Sequence, residues 1–241
     1  MVSRAAREVH ASRRWMAALG GLLVLAGVAV WAMLTLGPSD GERAARQPSP
    51  HSVSTGAAPA EERLTWLDYQ GVELPVSQQA GPRSVERGRA EGFDRSDLGA
   101  ALAATHLVVR AGPGPGPGVF EPTIAQQVTG PDAGRLAQTV SRDYQAARLE
   151  SGINDGDPLG VGNAEVLGYR VVKLSDAVRH VTLVEEAPDG NGVPQHFEID
   201  VAVQWVDGDW RLVAPRDGDW TTAFTQLDQP PADYTSFDRT G

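Results

Sequence analysis

Residues 196–213 read HFEIDVAVQWVDGDWRLV, and this stretch decides the second half of the fold. Its first part alternates apolar and polar side chains, the period of two that is typical of a strand with one buried face. Asp207-Gly208 follows, and a two-residue hairpin turn needs the positive φ angles that this dipeptide tolerates. The turn predicts an antiparallel hairpin in which three residues pair with three others: Trp205 with Trp210, Val203 with Leu212, and Gln204 with Arg211.

The same period of two extends upstream of the hairpin. Apolar residues alternate in two further stretches, which are Leu167, Tyr169 and Val171, then Val181 and Leu183. The sequence DGNG at 189–192 marks a turn before the hairpin, because these residue types accept turn conformations. The second half of the chain therefore predicts an antiparallel meander.

Three helical patterns precede the strands. Apolar residues recur at helical spacing in three stretches, at 96–110, 120–129 and 132–150. Asp94 or Ser96 is expected to cap the first helix and Asp132 the third, since short polar side chains accept hydrogen bonds from the first free N–H groups. Ser151-Gly152 is expected to end the third helix.

Two further stretches complete the predicted domain. Residues 64–76 indicate an extended lead-in with one edge strand, since Pro75 cannot donate to a strand ladder. GPGPGPG at 112–118 indicates a stiff, polyproline-like connector, because its prolines remove N–H groups that a phosphate-binding loop needs. The sequence thus predicts an α+β domain over 61–224, with helices packed on one face of a curved antiparallel sheet.

Residues 15–36 form an uncharged apolar run near the start of the chain. As a helix this run spans about 33 Å, against a hydrocarbon core of about 30 Å. Residues 1–14 hold four arginines and one glutamate, and positive segments stay on the cytoplasmic side. We therefore expect a cytoplasmic basic arm at 1–14, a single-pass transmembrane helix at 15–36, and an extracytoplasmic remainder at the cell membrane.

A cleaved signal peptide is the alternative interpretation of this run. Residues 12–16 resemble a weak twin-arginine export motif. A cleavable apolar region is normally about 7–15 residues long, however. The small-x-small site at 27–29 also lies inside the run rather than after it. Length therefore favours a retained anchor.

The segments on either side of the predicted domain lack apolar periodicity. Residues 37–60 are rich in Pro, Ser, Gly and Ala, a composition that predicts a disordered linker because it buries too little apolar surface. As a flexible coil this linker reaches about 25–30 Å. Residues 225–241 predict a flexible tail.

Charge and cysteine content exclude several classes of function. The chain has 31 acidic and 21 basic residues, a net charge of −10, whereas a nucleic-acid partner requires a clustered basic surface. The absence of cysteine excludes disulfides, thiolate metal sites and cysteine nucleophiles. Because no catalytic or metal-binding motif is present, we predict no catalytic residue, no metal, no cofactor and no nucleic-acid partner.

Histidines and acidic turns are the remaining candidates for chemistry. Only His106, late in an apolar helix, can enter a cavity, and such a residue is typically hydrogen-bonded at the edge of a core. The other histidines show no ligand spacing: His10, His51, His180 and His196. Four acidic clusters lack the full calcium-loop pattern and predict turns instead: 154–157, 189–192, 207–209 and 217–219.

Two resemblances arise from these motifs. VQWVDGDWRLV (203–213), together with the order of elements, resembles the nuclear transport factor 2-like fold, a cone of helices wrapped by a bent sheet. Three segments are similar to an actinobacterial family of single-pass membrane proteins of unknown function, associated with integrative conjugative elements: GVELPVSQQAGP (71–82), GFDRSDLGAALAATH (92–106) and FEPTIAQQVTGP (120–131). The similarity covers roughly 64–224 and implies fold and context, but no site residue.

These observations lead to two functional hypotheses. The first is a non-enzymatic, membrane-anchored scaffold or assembly protein that contacts copies of itself or other envelope proteins, in a conjugation or type IV secretion-like apparatus. The alternative is a ligand-binding or isomerase-like enzyme that uses the cone-shaped pocket, where the resemblance implies a buried Asp with a Tyr. Asp143 and Tyr144 do not form such a pair, since adjacent helical residues point about 100° apart.

Overall fold

The computed structural model describes residues 63–86 and 88–237. The predicted basic arm at 1–14, membrane helix at 15–36 and linker at 37–60 lie outside these residues. Among the helices of the described segments, none combines the length and apolar character that a membrane crossing requires.

The described chain is an α+β domain, with three helices packed on a mixed, mostly antiparallel sheet. The helices are α1 (Asp97–Arg110), α2 (Pro117–Gln127) and α3 (Ala133–Ser151). The strands are β1 (Leu64–Tyr69), β2 (Val72–Ser77), β3 (Ser84–Glu86), β4 (Arg89–Glu91), β5 (Val128–Thr129), β6 (Glu165–Lys173), β7 (Val178–Pro188), β8 (Pro194–Val206), β9 (Asp209–Val213), β10 (Phe224–Leu227) and β11 (Thr235–Ser236).

Seven of the described strands form one sheet. Its order is β11-β6-β7-β8-β9-β5, and β10 pairs with β8 beside β9. Within this sheet every pair of adjacent strands is antiparallel except β5 and β9, which run parallel to each other. Two separate hairpins, β1-β2 and β3-β4, lie outside this sheet.

The β8-β9 hairpin confirms the predicted register. Trp205 pairs with Trp210, Val203 with Leu212 and Gln204 with Arg211. Asp207 and Gly208 both have positive φ, 52° and 88°, as the turn requires. The two tryptophan rings meet edge to face with their centroids 5.2 Å apart.

Some helix boundaries agree with those predicted from the sequence, and others do not. Ser96 is the cap of α1 and accepts from the Gly99 N–H at 2.9 Å. Gly152 ends α3 in the left-handed region, at φ 69°, as predicted. Asp132 occupies the cap position of α3 but makes no capping bond. Its carboxylate accepts instead from the Arg135 guanidinium at 3.2 Å.

The start and end of α2 differ from the prediction. Pro117 is the first residue of this helix, a position at which proline's missing N–H has no cost. The end of GPGPGPG is therefore helical rather than a connector. At the other end, Val128 leaves the helix and begins β5, because it pairs with Leu212 of β9. A partner so distant in sequence is not visible in a local pattern.

The lead-in at 64–76 forms a hairpin of two strands, β1 and β2, where one edge strand was expected. Pro75 lies inside β2, opposite Trp66. Proline is tolerated there because every strand of a two-stranded ribbon is an edge strand, so its missing N–H faces away from the ladder.

A bulge in β6 changes which side chains are buried. The register shifts between Val166 and Gly168, so Val166 is buried while Leu167 is only partly so. Tyr169 and Val171 pack against the core as predicted. The carbonyl of Leu167 accepts from the Phe237 N–H at 3.0 Å.

The structure departs from the predicted tail at 225–241. Residues 224–227 form β10 beside β8, and residues 235–236 form β11 beside β6. Phe237 is buried, and its ring centroid lies 4.9 Å from that of Tyr169. The domain thus extends beyond 224 to at least 237, because these short strands gain their order from distant partners.

Helix α1 lies at the centre of the core. All of its residues from Gly99 to Arg110 are buried, and it contacts β6, β7, β8 and β9 of the main sheet. We call the sheet face against which α1 packs the inner face. Its apolar residues belong to the main core cluster and include Val181, Leu183, Ile199, Val201, Val203, Trp210 and Leu212.

Candidate functional site

Glu185 is an acidic residue on the inner face of the sheet. It follows Val181 and Leu183 at a spacing of two along β7, so its side chain shares their face. Directly opposite it lie Val166 on β6 and Phe197 on β8, and both of these are buried. The carboxyl group therefore stands in an apolar row of the inner face.

This carboxyl group is strongly buried, with an exposed fraction of 3%. Two arginines of the neighbouring strand and of β7 itself pair with other acids: Arg170 with Glu198 at 2.6 Å, and Arg179 with Asp97 at 2.7 Å. Burial raises the pKa of Glu185 to about 8, because the charged form is poorly solvated there. At neutral pH the group is thus a neutral acid that can donate a hydrogen bond or a proton.

A second buried polar group lies at the C-terminal end of α1. The Nε2 atom of His106 is 2.9 Å from the carbonyl oxygen of Pro75, and its Nδ1 atom is 3.1 Å from Nη1 of Arg110. A carbonyl only accepts, so Nε2 carries the hydrogen and Nδ1 accepts from Arg110. The imidazole therefore links α1 to the β1-β2 hairpin as a neutral ring.

The surroundings of His106 keep it neutral. Burial and the positive charge of Arg110 lower the pKa of His106 to about 3, since both disfavour the imidazolium. This places the residue among hydrogen-bonded structural histidines, as expected from the sequence. It is fully buried, however, rather than at the edge of the core.

Arg110 has no exposed surface in the domain. Its Nη1 atom donates to the ring and the backbone carbonyl of His106, and its guanidinium carbon lies 4.2 Å from the centroid of the Tyr69 ring. Burial lowers the pKa of Arg110 to about 10, so the group is still a cation at neutral pH. Its Nε and Nη2 atoms are buried, and no residue in the part of the chain that the structure describes supplies them with a hydrogen-bond acceptor.

A groove on the surface of the domain lies between α2 and α3. Its volume is about 380 Å³. Most of its lining is apolar, and small residues of α3 leave it open on one side: it comprises Phe120, Glu121, Ile124, Ala125, Val128, Ala133, Gly134, Ala137 and Ser141. This arrangement can hold an apolar side chain or segment.

The structure does not bring the other sequence candidates together. His10 and His51 lie outside the described residues. His180 is 3.6 Å from the Asp200 carboxylate, and His196 is 3.1 Å from that of Glu186. Within the segments the structure describes, no group of three His, Cys, Asp or Glu residues is arranged to hold a metal ion.

The side chains of Asp143 and Tyr144 have separate roles. The Tyr144 hydroxyl donates to the Asp157 carbonyl and accepts from the Gly156 N–H, both at 2.8 Å. Asp143 pairs instead with Arg142 at 3.0 Å. The tyrosine thus holds the loop after α3 in place, and the two residues do not share a pocket.

Acidic residues in the turns bind backbone N–H groups. Asp189 accepts from Asn191 and Val193 at 2.8 and 2.9 Å. Asp209 accepts from Gly92 and Phe93 at 2.8 and 3.1 Å, which ties the β8-β9 hairpin to the start of α1. The Asp189 contacts are those of a turn, as predicted from the sequence at 189–192, whereas the Asp209 contacts join segments that are distant in sequence.

Neither Glu185 nor Arg110 was identified from the sequence, although a signal existed for each. Glu185 continues the alternation of Val181 and Leu183 and so falls on the apolar face. Arg110 follows His106 by four residues on a helix that is otherwise apolar, which places both on one side of α1. An ionisable residue at an apolar position is the informative observation in each case.

The described residues thus form an α+β domain that buries one carboxyl group, Glu185, and one hydrogen-bonded pair, His106 and Arg110. Comparison of the chain with family models places it in a family of unknown function. The chain belongs to the family described as Domain of unknown function (DUF8175), whose model matches residues 32–236. Neither a curated protein nor a solved structure matches the chain.

Proposed function

We propose that this protein is a membrane-anchored extracytoplasmic scaffold. The observation that carries the proposal is the uncharged run at 15–36, which follows an arginine-rich arm and precedes a linker without apolar periodicity. This arrangement is typical of a single-pass anchor that holds a domain outside the cytoplasm. The scaffold acts through contacts with copies of itself or with other envelope proteins, in a conjugation or type IV secretion-like apparatus.

We assign the outer domain to the nuclear transport factor 2-like cone on the order of its elements. Three helices precede a meander of long strands, and α1 packs across the inner face of the sheet. The resemblance of residues 203–213 to the penultimate hairpin of that fold supports this assignment. Fold alone does not define a function, so the role as a scaffold needs a surface for assembly.

The groove between α2 and α3 is the surface that supports assembly. Phe120, Ile124 and Ala137 give it an apolar lining, and apolar surface in a groove favours association. We assign a second copy of the chain as its occupant. A two-fold contact places the same groove on both copies, so that each lining residue meets a different residue of the other copy, and those near the two-fold axis lie close to their own counterparts.

Cysteine crosslinking of the full-length chain in native membranes tests this proposal. The chain has no cysteine, so Ser141→Cys introduces a single thiol into the groove. Ala146→Cys is the matched control, because Ala146 is exposed on the same helix outside the groove. A short bifunctional maleimide should give a dimer with Ser141→Cys and little with the control.

A second substitution separates a specific contact from chance collision. Ala137→Arg, added to the Ser141→Cys chain, places a charge in the groove and should abolish the dimer. The same charge at Ala146 should leave it. Equal crosslinking by both cysteine variants, or a dimer that persists with Ala137→Arg, would contradict assembly through this groove.

A ligand-binding or isomerase-like role is the second candidate, and Glu185 favours it. A neutral carboxylic acid in an apolar interior is a suitable donor to a ligand oxygen. Binding of 4-nitrophenol, followed by its absorbance, provides the test. Saturable binding that is lost in Glu185→Leu would support this role, and weak binding without saturation in both proteins would exclude it for this probe.

A further inference from the structure

The guanidinium of Arg110 has defined partners at one nitrogen and on one face. Nη1 is bound to His106, one face lies on the Tyr69 ring, and the group has no exposed surface. The remaining edge carries Nε and Nη2, two buried donors that have no acceptor among the described residues. These atoms are adjacent in the guanidinium, and their N–H bonds point in the same direction.

Two parallel donors on one edge match the two oxygens of a carboxylate. Arginine binds carboxylates in this bidentate manner, and the charge makes each hydrogen bond stronger than a neutral one. Lysine cannot reproduce the arrangement, since its ammonium group is a single point of charge. The free edge therefore specifies a planar oxyanion rather than a generic anion.

The described groups around Arg110 do not balance its positive charge, so one negative charge would be stabilised beside it. His106 is neutral, since its Nδ1 accepts from the guanidinium. No described Asp or Glu forms an ion pair with Arg110, while the other buried arginine of the core, Arg179, has Asp97 as its partner. The helix C-terminus contributes only about half a negative charge. A buried cation in this situation is costly unless an anion accompanies it.

The surroundings of Arg110 define the rest of the ligand. Tyr69, whose ring stacks on the guanidinium, packs against a small apolar cluster separate from the main core. Four residues, each at most 2% exposed, form this cluster: Val72, Leu74, Val109 and Val161. A ligand bound at Arg110 would thus place its tail against aliphatic side chains.

From these observations we propose that Arg110 binds a short-chain monocarboxylic acid between α1 and the β1-β2 hairpin. The carboxylate accepts from Nε and Nη2, and the aliphatic chain packs against the small apolar cluster. The hairpin covers the site, because Tyr69 and Pro75 both belong to it. It is not part of the main sheet, so it can move to admit the ligand without breaking the main ladders.

Titration of the full-length chain in detergent with sodium propionate tests this site, with sodium chloride at equal concentration as the salt control. Saturable binding of one propionate per chain is expected for the wild type. Arg110→Lys keeps the charge but removes the paired donors, and should weaken binding by roughly tenfold or more. Arg142→Lys is the matched control, because Arg142 is largely exposed, and should bind as the wild type does.

Nitrogen NMR of the wild-type arginines keeps the test decisive if Arg110→Lys fails to fold. The Nε–H resonance of Arg110 should shift with propionate and saturate, while the Nε–H resonance of Arg142 should not. Equal responses to propionate and chloride, or an unmoved Arg110 resonance, would overturn the proposal.

Discussion

Arg110 and Glu185 are both buried in the same domain, yet burial has different consequences for each. Arg110 keeps its charge, and its surroundings supply a ring acceptor and an aromatic face. Glu185 stands in an apolar row and is neutral at pH 7, because burial raises its pKa to about 8. A permanent cation requires partners, whereas a carboxyl group can take up a proton instead.

The comparison shows where ligand chemistry is favoured. At the end of α1, the fixed charge and the free donor edge select an anion. On the inner face, the neutral carboxyl group selects no ion and can remain in a packed core. Four substitutions test this difference, in order from the largest expected effect on stability to the smallest.

Glu185→Gln should produce the largest change in the free energy of unfolding, because it removes a group that makes this free energy depend on pH. A carboxyl group whose pKa is raised on folding is stabilising below pH 4.5, and that stability is lost as the pH rises through 8. The slope is at most about 1.4 kcal/mol per pH unit, or about 4–5 kcal/mol over the window. Urea unfolding across this range should show the decline in the wild type and a flatter curve in Glu185→Gln. Parallel curves would show that the carboxyl group is solvated.

His106→Leu should destabilise the domain and remove a slope of opposite sign. The carbonyl of Pro75 loses its donor and Arg110 loses an acceptor, at a cost of about 1–3 kcal/mol for each unsatisfied group. A histidine with a lowered pKa is stabilising above pH 6.5, and that stability is lost as the pH falls towards 3. Urea unfolding at acidic pH measures both effects. If stability fell at acidic pH in the variant as it does in the wild type, the imidazole would not be buried and neutral.

Tyr69→Leu should lower the stability of the domain by a smaller amount, and this loss should not vary with pH near neutrality. The substitution keeps an apolar side chain but removes the ring beneath the Arg110 guanidinium. A desolvated contact between a cation and a ring contributes about 1–2 kcal/mol. Thermal unfolding at neutral pH would detect the loss, and Tyr69→Phe should retain most of the stability. If the Phe and Leu variants lost stability equally, the hydroxyl rather than the ring face would be the important group.

Ser96→Ala should give the smallest change, at the end of α1 opposite Arg110. The hydroxyl caps the helix by accepting from the Gly99 N–H, and loss of such a cap costs about 1 kcal/mol. Thermal unfolding should show this loss in equal measure with and without propionate, because the cap is remote from the proposed site. A response to propionate altered by this substitution would indicate a general effect of helix stability.

Local rules predicted the elements that depend on neighbouring residues. The β8-β9 register follows from Asp207-Gly208 and the α3 end from Gly152, while the α1 cap is Ser96, one of the two candidates that the sequence offered. Each depends on contacts within a few residues along the chain, so the sequence pattern contains the necessary information. The α+β class followed from the change of period between the two halves.

Elements that depend on distant partners were not predicted. Strands β5, β10 and β11 are two to four residues long, too short to show a period. The shifted register at Val166–Gly168 is likewise invisible in a simple alternation. The burial of Glu185 could have been inferred from its spacing. That no described basic residue pairs with it depends on where Arg170 and Arg179 find their partners.

Fractionation of cells that express the full chain, followed by protease treatment from outside the cell membrane, tests the proposed topology most directly. The chain should remain in the membrane pellet at alkaline pH, and the protease should remove the domain from its anchor. An intact chain in the cytosolic fraction, or a membrane-bound domain protected from the protease, would contradict an anchored extracytoplasmic scaffold.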